Sequence, residues 1–274
     1  MPRAPLEYNA TLIERHDITP RLAVFRVRPD ADDYAFVAGQ YTVVGLKQSE
    51  PGLPEADGEP DAQADADPAK MIRRPYSICS SVHQPEALEF YISLLSGGEL
   101  TPRLFNLQAG ARLFVGPQPR GTLTLERVPA DCNVLLVATG TGLGPYVSML
   151  RSHARDFPAQ QVGVIQGASY SRDLGYLNEL GHYASELPNL HYLPTVSRPE
   201  QDPGWQGATG RVQNWISSTD FANRFGFPLE PESTHVFLCG NPGMILETQE
   251  LLIERGFTLE AKGVEGDLHV EKYW

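Results

Sequence analysis

The chain has 274 residues, 41% of them hydrophobic, and a formal net charge of −12. That length holds two ordinary domains with real cores, and the acidity argues against nucleic acid or an anionic membrane surface as partner, because both reward Lys and Arg. No run of about 18 apolar residues occurs, and the first seven residues lack the apolar stretch of a signal peptide, so a cytoplasmic location is expected.

In chain order, the first half reads as strands. Residues 22–27, 41–46, 89–94 and 122–125 carry strand patterns with turn residues between them, which predicts an antiparallel β-barrel. Residues 48–69 interrupt it with Pro, Gly, Ala and Asp and no aromatic. Seven acids stand between Lys47 and Lys70, so this stretch with its two flanking lysines contributes −5 of the net charge. It lacks the apolar content to fold alone and is expected to be a flexible, solvated insertion. The remaining body is only moderately acidic.

The pattern changes near residues 129–133. Val134-Leu135-Leu136-Val137-Ala138 is continuously apolar and leads into a glycine-rich turn, as a buried parallel strand followed by a helix would. Strands over 161–166, 190–196 and 235–238 then alternate with helices over 145–155, 174–186, 212–217 and 244–255. The boundary is placed at residue 130, giving a two-domain chain: an antiparallel β-barrel over 1–130 and an α/β parallel-sheet domain over 131–274.

Several short motifs carry chemistry. Arg74-Pro75-Tyr76-Ser77 offers a cation for a phosphate, a ring to stack on another ring and a hydroxyl beside it. In Gly98-Glu99-Leu100-Thr101-Pro102, Thr101 reads as a helix N-cap and Pro102 as the first helical residue, an arrangement that points N–H groups outward. Thr139-Gly140-Thr141-Gly142-Leu143-Gly144-Pro145 opens a helix suited to a pyrophosphate. It is not the dehydrogenase fingerprint, because Pro145 stands where the third glycine would fall, and no acid follows the second strand to hold a ribose hydroxyl. Positive charge is available instead at Ser197-Arg198 and Thr209-Gly210-Arg211, which suits a 2′-phosphate.

Cys239-Gly240-Asn241-Pro242 ends a strand with a small polarisable side chain and a turn. On spacing alone Cys239 is inert packing. Cys79, Cys132 and Cys239 have no metal-ligand spacing, which excludes a cysteine-bound iron–sulfur cluster and leaves no metal site. The chain closes on Glu271-Lys272-Tyr273-Trp274. Two terminal rings imply either a docking place or a strand tucked into the core.

In this order the motifs resemble those of bacterial-type ferredoxin/flavodoxin–NADP reductases, in the superfamily of FAD-containing ferredoxin reductases. The similarity runs from Phe36-Val37-Ala38-Gly39-Gln40-Tyr41 to Val270-Glu271-Lys272-Tyr273-Trp274, without residues 48–69. It implies an FAD-binding barrel and an NADP-binding α/β domain. Arg74, with Pro75 beside it, and the turn at Gly98, Leu100 and Thr101 would hold the FAD pyrophosphate. Tyr76 would pack on the isoalloxazine and Ser77 would lie near flavin N5. Thr139, Gly140, Thr141, Gly142 and Pro145 would take NADP(H), with Ser197, Arg198 and Arg211 at the 2′-phosphate. Many bacterial relatives carry a further Arg where this chain has Ser169, with Arg172 three residues on, so a weaker NADP preference is implied.

The resemblance further places the Cys239 sulfur against the nicotinamide, orienting it, with Gly240, Asn241 and Pro242 forming the turn. It sets Glu271 to assist proton movement near Ser77, Tyr273 over the flavin and Trp274 on the FAD adenine. The implied reaction passes a hydride between NADP(H) and FAD, and single electrons between FAD and ferredoxin or flavodoxin. A monomer is expected. Two alternatives stay open: the reductase component of an oxygenase or a free-flavin reductase, and a flavin-free interaction module that kept only the fold.

Overall fold

The computed structural model describes residues 7–53, 70–84, 86–153, 157 and 160–272. Most of the acidic insertion (54–69) and the terminal pair Tyr273 and Trp274 lie outside them. The chain divides into two compact units, Met1–Thr122 and Leu123–Trp274.

The first unit is an antiparallel sheet of β1 (Ala10–Thr19), β2 (Leu22–Pro29), β3 (Tyr41–Lys47), β4 (Met71–Ser77), β5 (Leu88–Ser93) and β6 (Arg112–Val115), with one short helix, α1 (Thr101–Asn106). The strand order is β4-β3-β6-β1-β2-β5. Its core gathers Leu12, Phe25, Val27, Leu46, Ile72, Ile78, Phe90 and Leu104, all buried. Alternation drives this packing: β2 buries Leu22 to Phe25 and Val27 but exposes Arg26 and Arg28. Pro75 sits in β4, an outer strand of the order, where a missing N–H is tolerated.

The strand expected over 122–125 does not form. Leu123, Thr124 and Leu125 are all buried, so the alternation of a half-buried strand is not kept. The Val128 N–H closes instead on the Leu125 carbonyl at 3.0 Å, making a 3-10 turn over Leu125–Arg127.

The second unit is a parallel sheet between helices. It contains β7 (Asn133–Thr139), α2 (Gly144–His153), β8 (Val162–Ala168), α3 (Leu177–Glu186), β9 (Leu190–Val196), β10 (Ala208–Thr209), α4 (Val212–Ile216), α5 (Phe221–Phe225), β11 (Thr234–Cys239), α6 (Pro242–Glu254) and β12 (Leu268–Glu271). The order is β10-β9-β8-β7-β11-β12. β7, enclosed on both sides, is apolar from Val134 to Ala138 because no face meets water. The helix expected from residue 174 starts at Leu177. Tyr176 has a left-handed φ of 61°, and the segment before it is a 3-10 turn over Ser171–Asp173.

The outer strand β12 is fastened by a polar chain as well as by its ladder with β11. His235 Nδ1 and His269 Nε2 are 2.9 Å apart, the second ring nitrogen of His269 meets Glu260 at 2.6 Å, and Glu260 pairs with Arg127. His269 also stacks on Phe237 at 4.3 Å.

Candidate functional site

In the second unit the chain reverses its direction of sheet growth between β7 and β11. β8, β9 and β10 extend to one side and β12 to the other. In an open parallel sheet such a switch point, at the carboxyl ends of the strands, is where ligands bind. The turn after β7 and the turn after β11 meet there, and each needs a glycine for a definite reason. A Cβ on Gly142 would fall 2.3 Å from the Cys239 carbonyl oxygen and 2.5 Å from the Gly240 Cα. Gly240 has φ +137°, and a Cβ there would fall 2.4 Å from Thr139 Oγ1. The Asn241 N–H donates to that same hydroxyl at 2.9 Å. Two motifs some hundred residues apart are therefore one interlocked piece of backbone.

Two helices start from it. Gly140–Leu143 forms a 3-10 turn, and α2 begins at Gly144 with Pro145 next and no acid in its first turn. Asn241 caps α6, its Oδ1 accepting from the Gly243 N–H at 2.9 Å and the Met244 N–H at 3.2 Å, with Pro242 leading the helix. The start of α2 fits an anionic group, with Gly140 exposed and no carboxylate in the first turn, whereas the first N–H groups of α6 are already taken by Asn241.

Cys239 is fully buried at the end of β11, opposite Ala138 on one side and Glu271 on the other. Below it lies Tyr146, whose hydroxyl donates to the Val137 carbonyl at 3.3 Å. Burial raises the Tyr146 phenol well above its ordinary range, and the nearby Cys239 and Glu271 add to the effect. Tyr146 stays a neutral donor under the Cys239 turn. It closes the glycine-rich motif in sequence but carries no role legible there, since it looks like any apolar-face helix residue.

Ser197, Arg198 and Arg211 follow neighbouring strands, β9 and β10, and are exposed. The Ser197 hydroxyl donates to the Ala168 carbonyl at 3.3 Å. Arg211 lies 3.9 Å from Glu247. Arg198 donates to the Tyr170 hydroxyl at 3.3 Å. Tyr170, also unforeseen, sits after β8 where a loop residue gives no sequence signal.

In the first unit, Arg74 to Ser77 lie on β4 opposite Val44 to Tyr41. Arg74 is the middle residue of its seven-residue strand. Its guanidinium is half exposed and donates to Glu99 at 2.9 Å, which brings β4 and the turn at Gly98 together. Glu99 was not singled out from sequence. Tyr76 packs against the core, and burial pushes its phenol far above the usual range, with Arg74 pulling back. Ser77 is buried.

Thr101 is not the N-cap of α1. Leu100 holds that position, and the Thr101 hydroxyl is spent on the Leu95 backbone, accepting from its N–H at 3.0 Å and donating to its carbonyl at 3.2 Å. The hydroxyl folds the 95–101 turn back on itself. In α1, Arg103 Nε is buried without a hydrogen-bond partner, while its other two nitrogens donate to the Glu99 and Gln48 carbonyls. The half-exposed Arg74 guanidinium suits a phosphate. Tyr273 and Trp274 lie outside the described residues. No cluster able to hold a metal occurs among the described residues, nor a helix long and apolar enough to cross a membrane.

Residues 136–250 match the family model described as the oxidoreductase NAD-binding domain. The chain is 33% identical over 228 residues to the flavodoxin/ferredoxin–NADP reductase of Shigella flexneri, covering 83% of each chain. It is 32% identical to that of Escherichia coli strain K12, again covering 83% of each. A crystal structure of a ferredoxin NADP+ reductase from Neisseria gonorrhoeae, with bound FAD and NADP, superposes with a TM-score of 0.81 at 22% identity, covering 99% of this chain and 100% of that one.

Proposed function

The chain belongs to the flavodoxin/ferredoxin–NADP reductase family, and from that premise we propose which residues carry each part of its work. It is an FAD- and NADP(H)-dependent oxidoreductase that transfers electrons to a small redox partner. Its relatives are named for flavodoxin and ferredoxin, and we take these as its carriers. FAD, when bound, supplies the exchange between a hydride and single electrons.

On the first unit, Arg74 holds the pyrophosphate with the turn at Gly98, Leu100 and Thr101, and Pro75 keeps the strand edge clear. Tyr76 stacks as a neutral ring, a role supported by the burial that holds its phenol protonated. Ser77 supplies a hydroxyl to the flavin's reacting edge. The antiparallel sheet acts as a barrel. The Cys79 N–H, just past β4, donates to the Glu89 carbonyl in β5 at 2.7 Å, which supports closure of the two outer strands.

On the second unit, Thr139, Gly140, Thr141, Gly142 and Pro145 receive the NADP(H) pyrophosphate, and Ser197, Arg198 and Arg211 its 2′-phosphate. Cys239 orients the nicotinamide from a fixed turn, as a buried thiol rather than a nucleophile, with Gly240, Asn241 and Pro242 setting its height. Glu271 is the carboxylate for proton movement. Tyr273 covers the flavin and Trp274 supports the adenine.

The interlock of Gly142 with Gly240 carries the reading most directly, because it builds a rigid anion cradle at the switch point of the sheet. The absorption spectrum of the purified protein tests it. Flavin bands that bleach on addition of NADPH, with the electrons then passing to ferredoxin or flavodoxin faster than to free flavin, are the expected result. Protein without flavin bands after reconstitution with FAD would refute the reading. Transfer to free flavin alone would move it to the flavin reductases.

A further inference from the structure

The segments that follow β8 and β9 are bound into a single platform. The Ser197 N–H donates to the Ala168 carbonyl at 2.9 Å, and the Arg198 N–H to the Ser169 carbonyl at 3.2 Å. The Ser171 N–H donates to Asp202 at 2.5 Å, and the Tyr170 hydroxyl to Gln201 at 2.7 Å. Tyr170 therefore cannot swing freely. Its ring carries two guanidinium groups: Arg172 at 4.4 Å from the centroid and Arg198 at 5.8 Å. Both arginines are exposed.

We propose that Arg172 is a third cation for the 2′-phosphate of NADP(H), beside Arg198 and Arg211, and that Tyr170 is the positioning residue that racks Arg172 and Arg198 together. The inference rests on the NADP reading above and names a specificity residue within it. Three observations carry it. Ser169, at the end of β8, is uncharged, and Arg172 is the basic residue that the following 3-10 turn provides. An arginine stacked on a held ring loses less freedom on gripping a phosphate than one on a bare loop. Finally, the local charge balance favours it.

Asp173 and Asp202 both lie in the field of Arg172. Two aspartates against Arg198 alone would present net negative charge to an incoming dianion. With Arg172 the four groups are neutral, and Arg211, 3.9 Å from Glu247, leaves that balance unchanged. Arg172 thus matters twice, as a hydrogen-bond donor and as the charge that cancels an acid.

The test is titration calorimetry on the full chain with 2′-phospho-AMP and with 5′-AMP, which needs neither turnover nor bound flavin. Arg172→Gln is expected to weaken 2′-phospho-AMP by about 10-fold or more while 5′-AMP binds as before. Arg172→Lys, which keeps charge but loses the planar stack, should fall between Gln and wild type. Tyr170→Leu should weaken 2′-phospho-AMP several-fold, and Tyr170→Phe, which retains the ring, should recover most of that loss. Unchanged 2′-phospho-AMP affinity in Arg172→Gln overturns the proposal and leaves the NADP reading standing. Equal loss of both nucleotides also overturns it, making Arg172 a support of the loop. A wild-type chain with no preference for 2′-phospho-AMP would overturn the NADP reading and this inference together.

Discussion

As proposed, the two units reach an anion by different means. On β4 the proposed recognition group is a side chain, Arg74, half exposed and hydrogen-bonded to Glu99. At the ends of β7 and β11 it is the backbone, fixed by glycines that touch at distances no Cβ would survive. A side-chain site can be altered without disturbing its fold, because an exposed ion pair contributes less than about 1 kcal/mol. A backbone site cannot be separated from the fold that makes it.

Gly240→Ala puts that contrast under the greatest strain. The residue must keep φ at +137° and bring a Cβ within 2.4 Å of Thr139 Oγ1. Strain and overpacking together should cost about 3 kcal/mol in the unfolding of the second unit, with NADP(H) binding lost. Gly142→Ala should do nearly as much. Thermal and denaturant unfolding check both, and a variant with native stability would mean the interlock is slack. Next comes Arg74→Ala. FAD affinity should fall about 10- to 150-fold, the value of a charge-assisted hydrogen bond, while the unfolding of the flavin-free chain stays within about 1 kcal/mol of wild type. A large stability loss would erase the difference between the units.

A smaller effect concerns pH and the fastening of β12. Burial is the main cause holding the His269 and His235 pKa values below the ordinary 6.5. For His269, Glu260 and Asp267 pull upward and Arg127 adds to the lowering. For His235, His269 adds to the lowering while Asp267 and Glu260 oppose it. The unfolded chain therefore binds these protons first. The pair's contribution is complete above its unfolded pKa and declines as pH falls through 6.5. Burial pushes the Glu260 carboxyl upward, but His269 and Arg127 more than offset it and leave it below 4.5, so it remains ionised across that window. The melting temperature should drop between pH 7.5 and 5.5, and less so when His235 and His269 are both replaced by Gln. An identical drop in that variant would remove the pair from the account. The smallest expected effect is Glu99→Gln, which releases Arg74 and should tighten FAD by about 2- to 5-fold. Weaker binding would make Glu99 a partner of the site instead of a competitor.

Legibility in the sequence followed the same division. Glycine positions and the apolar run from Val134 to Ala138 announced the second unit, because a buried parallel strand and a tight turn restrict residue type strongly. The alternation over 122–125 misled, since pattern alone does not say whether a partner strand is available. β1 escaped notice because Glu14 to Asp17 place four ionisable residues in a row where one face meets solvent. Thr101 looked like a cap because sequence cannot show that its hydroxyl is taken by Leu95. Glu99 on Arg74, Tyr170 between two arginines, and His269 with His235, Glu260 and Arg127 all join distant segments. Such pairings are decided by the sheet, not by the neighbours of each residue.

The β7–β11 junction also has a consequence in time. Thr234 pairs with Asn133, so on a ribosome adding residues at about 5 to 20 per second, β7 waits roughly 5 to 20 s for the strand that covers its outer edge. During that interval an almost wholly apolar strand presents an open row of N–H and C=O groups, the template on which chains join edge to edge. A nascent chain halted before Thr234 should therefore sediment or engage chaperones, whereas one carried through Cys239 should be released clean. The glycine contacts that shape the mature cradle also mark the moment at which the hazard ends.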